Sequence, residues 1–213
     1  MDLGKIQSSS QPVYWSLGLV RDPVIQYAPA PGQSQARRPY FYSDPRFSSQ
    51  KIDDVVDFFL EDYESAVLRA EDLDARVLQD TASAAAGKEE EYFNLVSLGA
   101  RQTLAGFDIT FTATQDNNSD IKAFTKNTGV AGISNNVPTL YASLPAFLYF
   151  NASWAGYLLE PLLQYKDSLL PEDRAVAASD LGAYPKASGN NGRSGVEGIQ
   201  YQVLATNAHT RLI

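Results

Sequence analysis

The chain's own omissions narrow which of its side chains could do chemistry. Its 213 residues include no cysteine and one histidine, His209, near the C-terminal end. Thiolate nucleophiles, Cys-ligated zinc and disulfide frameworks are excluded, and a Ser-His-Asp triad or multi-histidine metal site is nearly so. Chemistry falls to carboxylates, with hydroxyl, amide and guanidinium groups for binding. No metal or cofactor is expected, and His209 is given no role. The most concentrated group of such residues is Asp180-Leu181-Gly182-Ala183-Tyr184-Pro185-Lys186-Ala187-Ser188-Gly189-Asn190-Asn191-Gly192. A loop this long inside a compact domain is usually functional or disordered. Tyr184, Ser188, Asn190 and Asn191 could hydrogen-bond an amino-acid or sugar ligand, or serve only the turn chemistry that Asn and Gly favour. Arg101 is expected near the middle of an inner helix. A buried arginine there either pairs with a structural carboxylate or grips a substrate carboxylate bidentately. Tyr141 and Trp154, on helical spacing, read as core rather than as sugar platforms.

Composition limits the partners. Asp and Glu number 25 against 17 Lys and Arg, a net charge of -8, whereas nucleic-acid binders need a clustered basic face. No apolar run approaches the roughly 20 residues that span a bilayer. Nucleic acid and membrane are set aside, leaving a small-molecule substrate as the expected partner. With 44% apolar residues the chain can build a substantial core. No signal-peptide-like stretch follows Met1, and the two glycosylation sequons, at Asn117 and Asn151, are close to chance for this length.

The elements that would position these groups are mostly helical. Val13 to Val20 and Val24 to Tyr27 read as short strands, and residues 28–50, rich in Pro, Gln, Ser and Arg, as an irregular connector. Ile52, Val55, Val56, Phe59, Tyr63, Val67, Ala70, Leu73 and Val77 recur at spacings of three and four, which predicts a helix over 51–79. Thirteen acidic residues lie between Asp53 and Glu91 against three basic ones, a pattern that reads as a solvated outer face. A second helix is expected over 89–107, more buried than the first, with Gly99 and Gly106 admitting a close backbone. Thr110 to Thr114 reads as a strand, and 115–120 and 129–136 as loops. Leu140 to Phe150 then reads as a buried helix. Asn151 is placed to cap a helix over 154–166, where Pro161 predicts a kink or a broken first turn.

Several stretches, in this order, resemble the fungal glutaminase A family. They are Ser16 to Tyr27, Phe58 to Tyr63, Ala100 to Ile109, Thr139 to Pro145, Leu158 to Leu163, Asp180-Leu181-Gly182 with Tyr184-Pro185 and Ser188-Gly189, and Val196-Glu197. The resemblance covers residues 2–197. It implies a mainly α fold: αα-hairpins forming part of an (α/α)6 six-hairpin toroid, with a short β remnant of a preceding β-sandwich domain. Residues 1–48 would be the end of that β domain plus connector, 49–197 a partial toroid and 198–213 a divergent tail. The implied activity is a secreted hydrolase converting L-glutamine to L-glutamate and ammonia. Departures from the family pattern at both ends, with Ala183 alone between Gly182 and Tyr184, suggest a truncated form with low or no turnover.

Asp180 and Glu197 are the two carboxylates of the family-like loop. They are the candidates for an acid/base pair or for anchoring a substrate ammonium, as carboxylate pairs serve six-hairpin glycoside hydrolases. Against this, Asp180 could cap a turn and Glu197 could be solvated. Arg101, Tyr184, Ser188 and Asn190 are the candidates for substrate binding. Two further functional readings stand beside the glutaminase: a toroid acting on a glycan, and a non-catalytic helical fragment.

Overall fold

The computed structural model describes residues 16–47, 49, 51–112, 120–127, 132–170 and 178–189. Among these residues helix dominates, as three consecutive α-helices and then a pair, set between short strands. Strand β1 (Ile25–Tyr27) pairs antiparallel with β2 (Gln35–Pro39), in register Ile25 with Arg37. Part of the expected connector is thus a strand. Its Gln-Ala-Arg-Arg-Pro sequence lacks the β-branched alternation that announces one, and pairing on both edges compensates for weak propensity. Two 3-10 turns (Tyr40–Ser43 and Pro45–Phe47) lead into the helices.

Helices α1 (Ile52–Glu61) and α2 (Tyr63–Ala84) cover the expected first helix and run beyond it. They meet at Asp62, which keeps right-handed helical dihedrals, donates its amide to the Phe58 carbonyl and accepts at its own carbonyl from Ala66. Asp53 and Asp54 in the first turn sit where the helix dipole favours anions. Helix α3 (Glu89–Ala105) packs against α2 but buries no residue fully, contrary to expectation. Its Leu95 and Leu98 are 65% and 53% exposed, because no described element lies over that face. Gly99 has open space around its α-carbon, so only Gly106 fits the close-approach reading. A β-carbon on Gly106 would stand 2.4 Å from the Lys126 carbonyl oxygen.

Gly106 opens β3 (Phe107–Thr112), which pairs antiparallel with both β2 and β4 (Ile121–Thr125). Helix α4 (Val137–Phe150) is capped by Asn136, whose side chain accepts from the Thr139 amide, with Pro138 in the first turn. Helix α5 (Ala152–Asp167) is capped as expected by Asn151, which accepts from the Ser153 amide at 3.0 Å. Pro161 lies inside α5 without ending it, and no first turn is broken. Pro161 is fully buried, and its carbonyl accepts from the Tyr27 hydroxyl at 2.9 Å, which ties β1 to the helix at the proline. The short strand β5 (Lys186–Ala187) completes the sheet in the order β4-β3-β2-β1-β5, lying parallel to β1. Strands from either side of residue 48 therefore share one sheet.

One face of that sheet packs on α4 and α5. Tyr27 and Phe124 tilt together at 5.5 Å, and Phe107 bridges to Phe147 of α4 and Trp154 of α5 at 5.4 and 5.3 Å. Leu158 and Leu162 of α5 and Leu181 fill the space between. Asn135 stitches this layer together. Its Oδ1 accepts from the Thr125 amide, and its Nδ2 donates to the carbonyls of Leu158 and Ala123.

Candidate functional site

The Asp180 to Gly189 loop is ordered, and its backbone explains why. Leu181 and Gly182 are tied to the 132–137 segment: the Leu181 amide donates to the Ser134 carbonyl (2.9 Å), and the Ser134 amide donates to the Gly182 carbonyl (2.8 Å). Tyr184 donates its amide to Gly132, while Gln26 and Ala28 of the β1 edge donate to Pro185 and Ala187. Gly182 (φ 103°) and Gly189 (φ 101°) take conformations that disfavour any side chain, and a β-carbon on Gly189 would strike the Tyr165 ring.

Asp180 is 1% exposed, with Oδ1 accepting from the Gly182 amide (2.8 Å) and Oδ2 from the Ser179 hydroxyl (2.9 Å). This is the turn-capping geometry: the carboxylate replaces water for a backbone donor and fixes the start of the loop. Tyr184 is half-buried, its hydroxyl donating to the Val24 carbonyl at 2.7 Å. Burial pushes that hydroxyl above its ordinary pKa, against the opposing charge of Arg21 and with a smaller push from Asp108.

The other sequence candidates are not gathered here. Ser188 lies on the same loop but faces solvent. Arg101, expected to be buried, is exposed on α3 and makes no ion pair among the described residues, because its face of the helix has no covering element. Glu197 and Asn190, with Asn191 and His209, lie outside the described residues.

What the fold brings to Tyr184 instead is a set of charges. The Arg21 guanidinium lies over its ring, 4.6 Å from the centroid, and the Lys126 ammonium is 5.0 Å from the same centroid. Both cations reach Asp108 Oδ2, Lys126 at 2.7 Å and Arg21 at 4.0 Å. Oδ2 receives no directed hydrogen bond, so these are charge contacts. Arg21 and Asp108 fall within the family-like stretches that end at Tyr27 and Ile109, but nothing in those stretches marked the two residues individually. Lys126 carried no signal, as neither β4, which ends just before it, nor the bridge from Lys126 to Ser134 was expected.

A second charged group lies between the sheet and α5. Arg37 is fully buried and donates to Asp120 Oδ2 (2.6 Å), to the Asp120 carbonyl (2.7 Å) and to Thr110 Oγ1 (3.2 Å). Lys122 Nζ bridges Asp120 Oδ1 (2.6 Å) and Glu160 Oε1 (2.8 Å). Burial would raise the Asp120 pKa, but the Lys122 and Arg37 hydrogen bonds outweigh it and hold the carboxyl below its ordinary value. Two cations and two carboxylates balance, every charge has a partner, and the arrangement ties β2, β3 and β4 to α5. Among the described residues no three acidic or histidine side chains are placed to hold a metal ion, and no helix is long and apolar enough to cross a membrane.

Comparison with known proteins supplies the rest. Residues 89–200 match the "Glutaminase A six helical-hairpin domain" model, and residues 1–80 match a "Domain of unknown function (DUF5127)". The chain is 29% identical over 190 residues to "Glutaminase A" of Aspergillus oryzae, covering 89% of this chain and 26% of that protein. It is also 29% identical over 191 residues to "Probable glutaminase/05536" of Arthroderma benhamiae, covering 89% of this chain and 20% of that one. The chain thus spans only about a fifth to a quarter of the length of these curated relatives. No solved structure gives a significant match. With more than half of its residues in the matched helical region, the chain belongs to the glutaminase A six helical-hairpin domain family.

Proposed function

We propose that this chain is part of an extracellular hydrolase that converts L-glutamine and water to L-glutamate and ammonia. The observation that carries this reading is the convergence at Tyr184 of three family-like stretches, ending at Tyr27, at Ile109 and at Pro185, in a relative of proteins named glutaminase. Helices α2 with α3, and α4 with α5, serve as two hairpins of a six-hairpin toroid. The uncovered Leu95 and Leu98 of α3 support this, since toroid hairpins bury their flanks against neighbours. Asp180, with both oxygens engaged in the turn, acts as a positioning residue that presents Tyr184. Glu197 is the carboxylate assigned to proton transfer, delivering water to the amide carbon and a proton to the departing ammonia.

The test is ammonia release from L-glutamine by the purified chain, beside reducing-sugar release from glycans and a thermal melt with millimolar L-glutamine. We expect an upward shift of the melt and low turnover that Glu197→Gln abolishes. Two described hairpins supply only part of a six-hairpin site, which is why turnover should be low. Sugar release without ammonia would replace the reading with a glycan hydrolase, and a ligand-blind melt with no turnover would refute it.

A further inference from the structure

We propose that Arg21 and Lys126, gathered at the ring of Tyr184, form a subsite for the free carboxylate of an α-amino acid. The choice of an amino acid rests on the glutaminase reading. The preference for a carboxylate rests on the geometry alone.

Arg37, Arg38, Arg46, Arg69 and Lys122 each donate hydrogen bonds to a carboxylate. Among the described residues Arg21 makes no hydrogen bond, and its only ion pair, to Asp108, is long at 4.0 Å. Its planar fork is nevertheless held, because the guanidinium lies over a ring whose own hydroxyl is fixed to the Val24 carbonyl. A pre-oriented guanidinium with free donors is the arrangement that binds a carboxylate bidentately at low entropic cost.

Charge points the same way. Arg21 and Lys126 share the single carboxylate of Asp108, leaving one positive charge uncompensated at this corner of a chain whose net charge is -8. The three side chains are 33%, 19% and 29% exposed, dry enough to strengthen a new ion pair and open enough for a small ligand to enter. Asp108 would remain beside the incoming carboxylate, where it can accept from the ligand's α-ammonium. A zwitterionic amino acid therefore matches both signs of the site.

The experiment is calorimetric titration of the purified chain with L-glutamine, L-glutamate and L-glutaminamide, which keeps the ammonium but replaces the α-carboxylate by a neutral amide. The wild type should bind the first two, and the amide about tenfold or more weakly, the scale of a charge-assisted hydrogen bond. Arg21→Gln and Lys126→Met should each weaken L-glutamate binding by about tenfold, while Arg46→Gln, the same charge change at an exposed pair with Asp44, should not. Equal binding of acid and amide by the wild type overturns the proposal without recourse to any variant. So does a folded wild type that binds no carboxylate. Arg21-dependent glutamate binding without ammonia release supports the subsite and removes the glutaminase reading. Ammonia release with unchanged affinity in Arg21→Gln removes the subsite and leaves that reading in place.

Discussion

Replacing Asp120 by alanine should cost this protein more than any other single surface-reachable carboxylate, and the structure sets the scale. Asp120 is 27% exposed, but the Arg37 it satisfies is 0% exposed and Lys122 only 4%. Without the carboxylate, the balanced cluster acquires a net positive charge in a place water barely reaches. Breaking one partner out of a buried pair costs about 3–5 kcal/mol. The lower end, about 3 kcal/mol, applies here, because Arg37 keeps the carbonyl of residue 120 and Thr110, and Lys122 keeps Glu160. For a chain of this size that is about 6–12 °C in Tm. Urea unfolding followed by circular dichroism reads it directly. Glu160→Gln is the internal comparison: Glu160 is half in water and should cost about 1 kcal/mol or less. The pH dependence follows from the same contacts. Because the folded Asp120 pKa lies below its ordinary 3.8, the unfolded chain takes up that proton first as pH falls. The contribution is therefore complete above that value and lost as pH drops through the folded pKa, and Asp120→Asn should lack this part of the acid slope. A loss under about 1 kcal/mol for Asp120→Ala, or one no larger than for Glu160→Gln, would refute the view of this cluster as a buried clamp.

Other substitutions test the joints around the site. Gly106→Ala should lower stability by about 1–3 kcal/mol in denaturant melts, since its β-carbon meets the Lys126 backbone and cannot move aside. Asn135→Ala removes three buried hydrogen bonds and leaves a non-glycine residue at φ 47°, so a loss of at least about 2 kcal/mol is expected by the same assay. Leu158→Ala, 1% exposed between sheet and helix, should cost about 2–5 kcal/mol.

The helices were legible because their signals are local. The three-and-four spacing from Ile52 to Val77, the Asn151 cap and the apolar Leu140 to Phe150 run each act within a few residues, and each marks a helix where one was read. Burial did not follow: Tyr141, expected in the core, is 53% exposed, and Leu148 and Tyr149 are exposed too, so only one side of α4, with Leu140 and Phe147, meets the core. The sheet was less legible because its logic is distant. Gln35–Pro39 is a strand through partners as far away as Thr110 and Thr112, and the Ile121–Thr125 strand carries a lysine that only Asp120 and Glu160 make tolerable. The candidate site divides the same way. The unusual loop marked Tyr184 and Asp180, but its chemistry changes once Asp180 proves to be engaged by Gly182 and Ser179. Arg101 was misplaced because periodicity identifies an apolar face without saying whether anything covers it. Arg21, Asp108 and Lys126 come from three separate segments, and no spacing along the chain relates them.

The strand order has a consequence for how the chain can be divided. One family match ends at residue 80 and the other begins at residue 89, which invites cutting near Lys88 between α2 and α3. The sheet does not respect that seam. Its first two strands lie before it and its last three after, with Gln26 beside Lys186. A piece ending at Lys88 would hold a lone two-stranded ribbon, which is marginal in water, and the remainder would present the bare edge of β3 to any passing chain. On the ribosome, β1 must likewise wait until residue 187 has emerged before it gains its second neighbour, a long closure of the kind that slows folding. The two matches name stretches of sequence, and the unit that assembles runs across both.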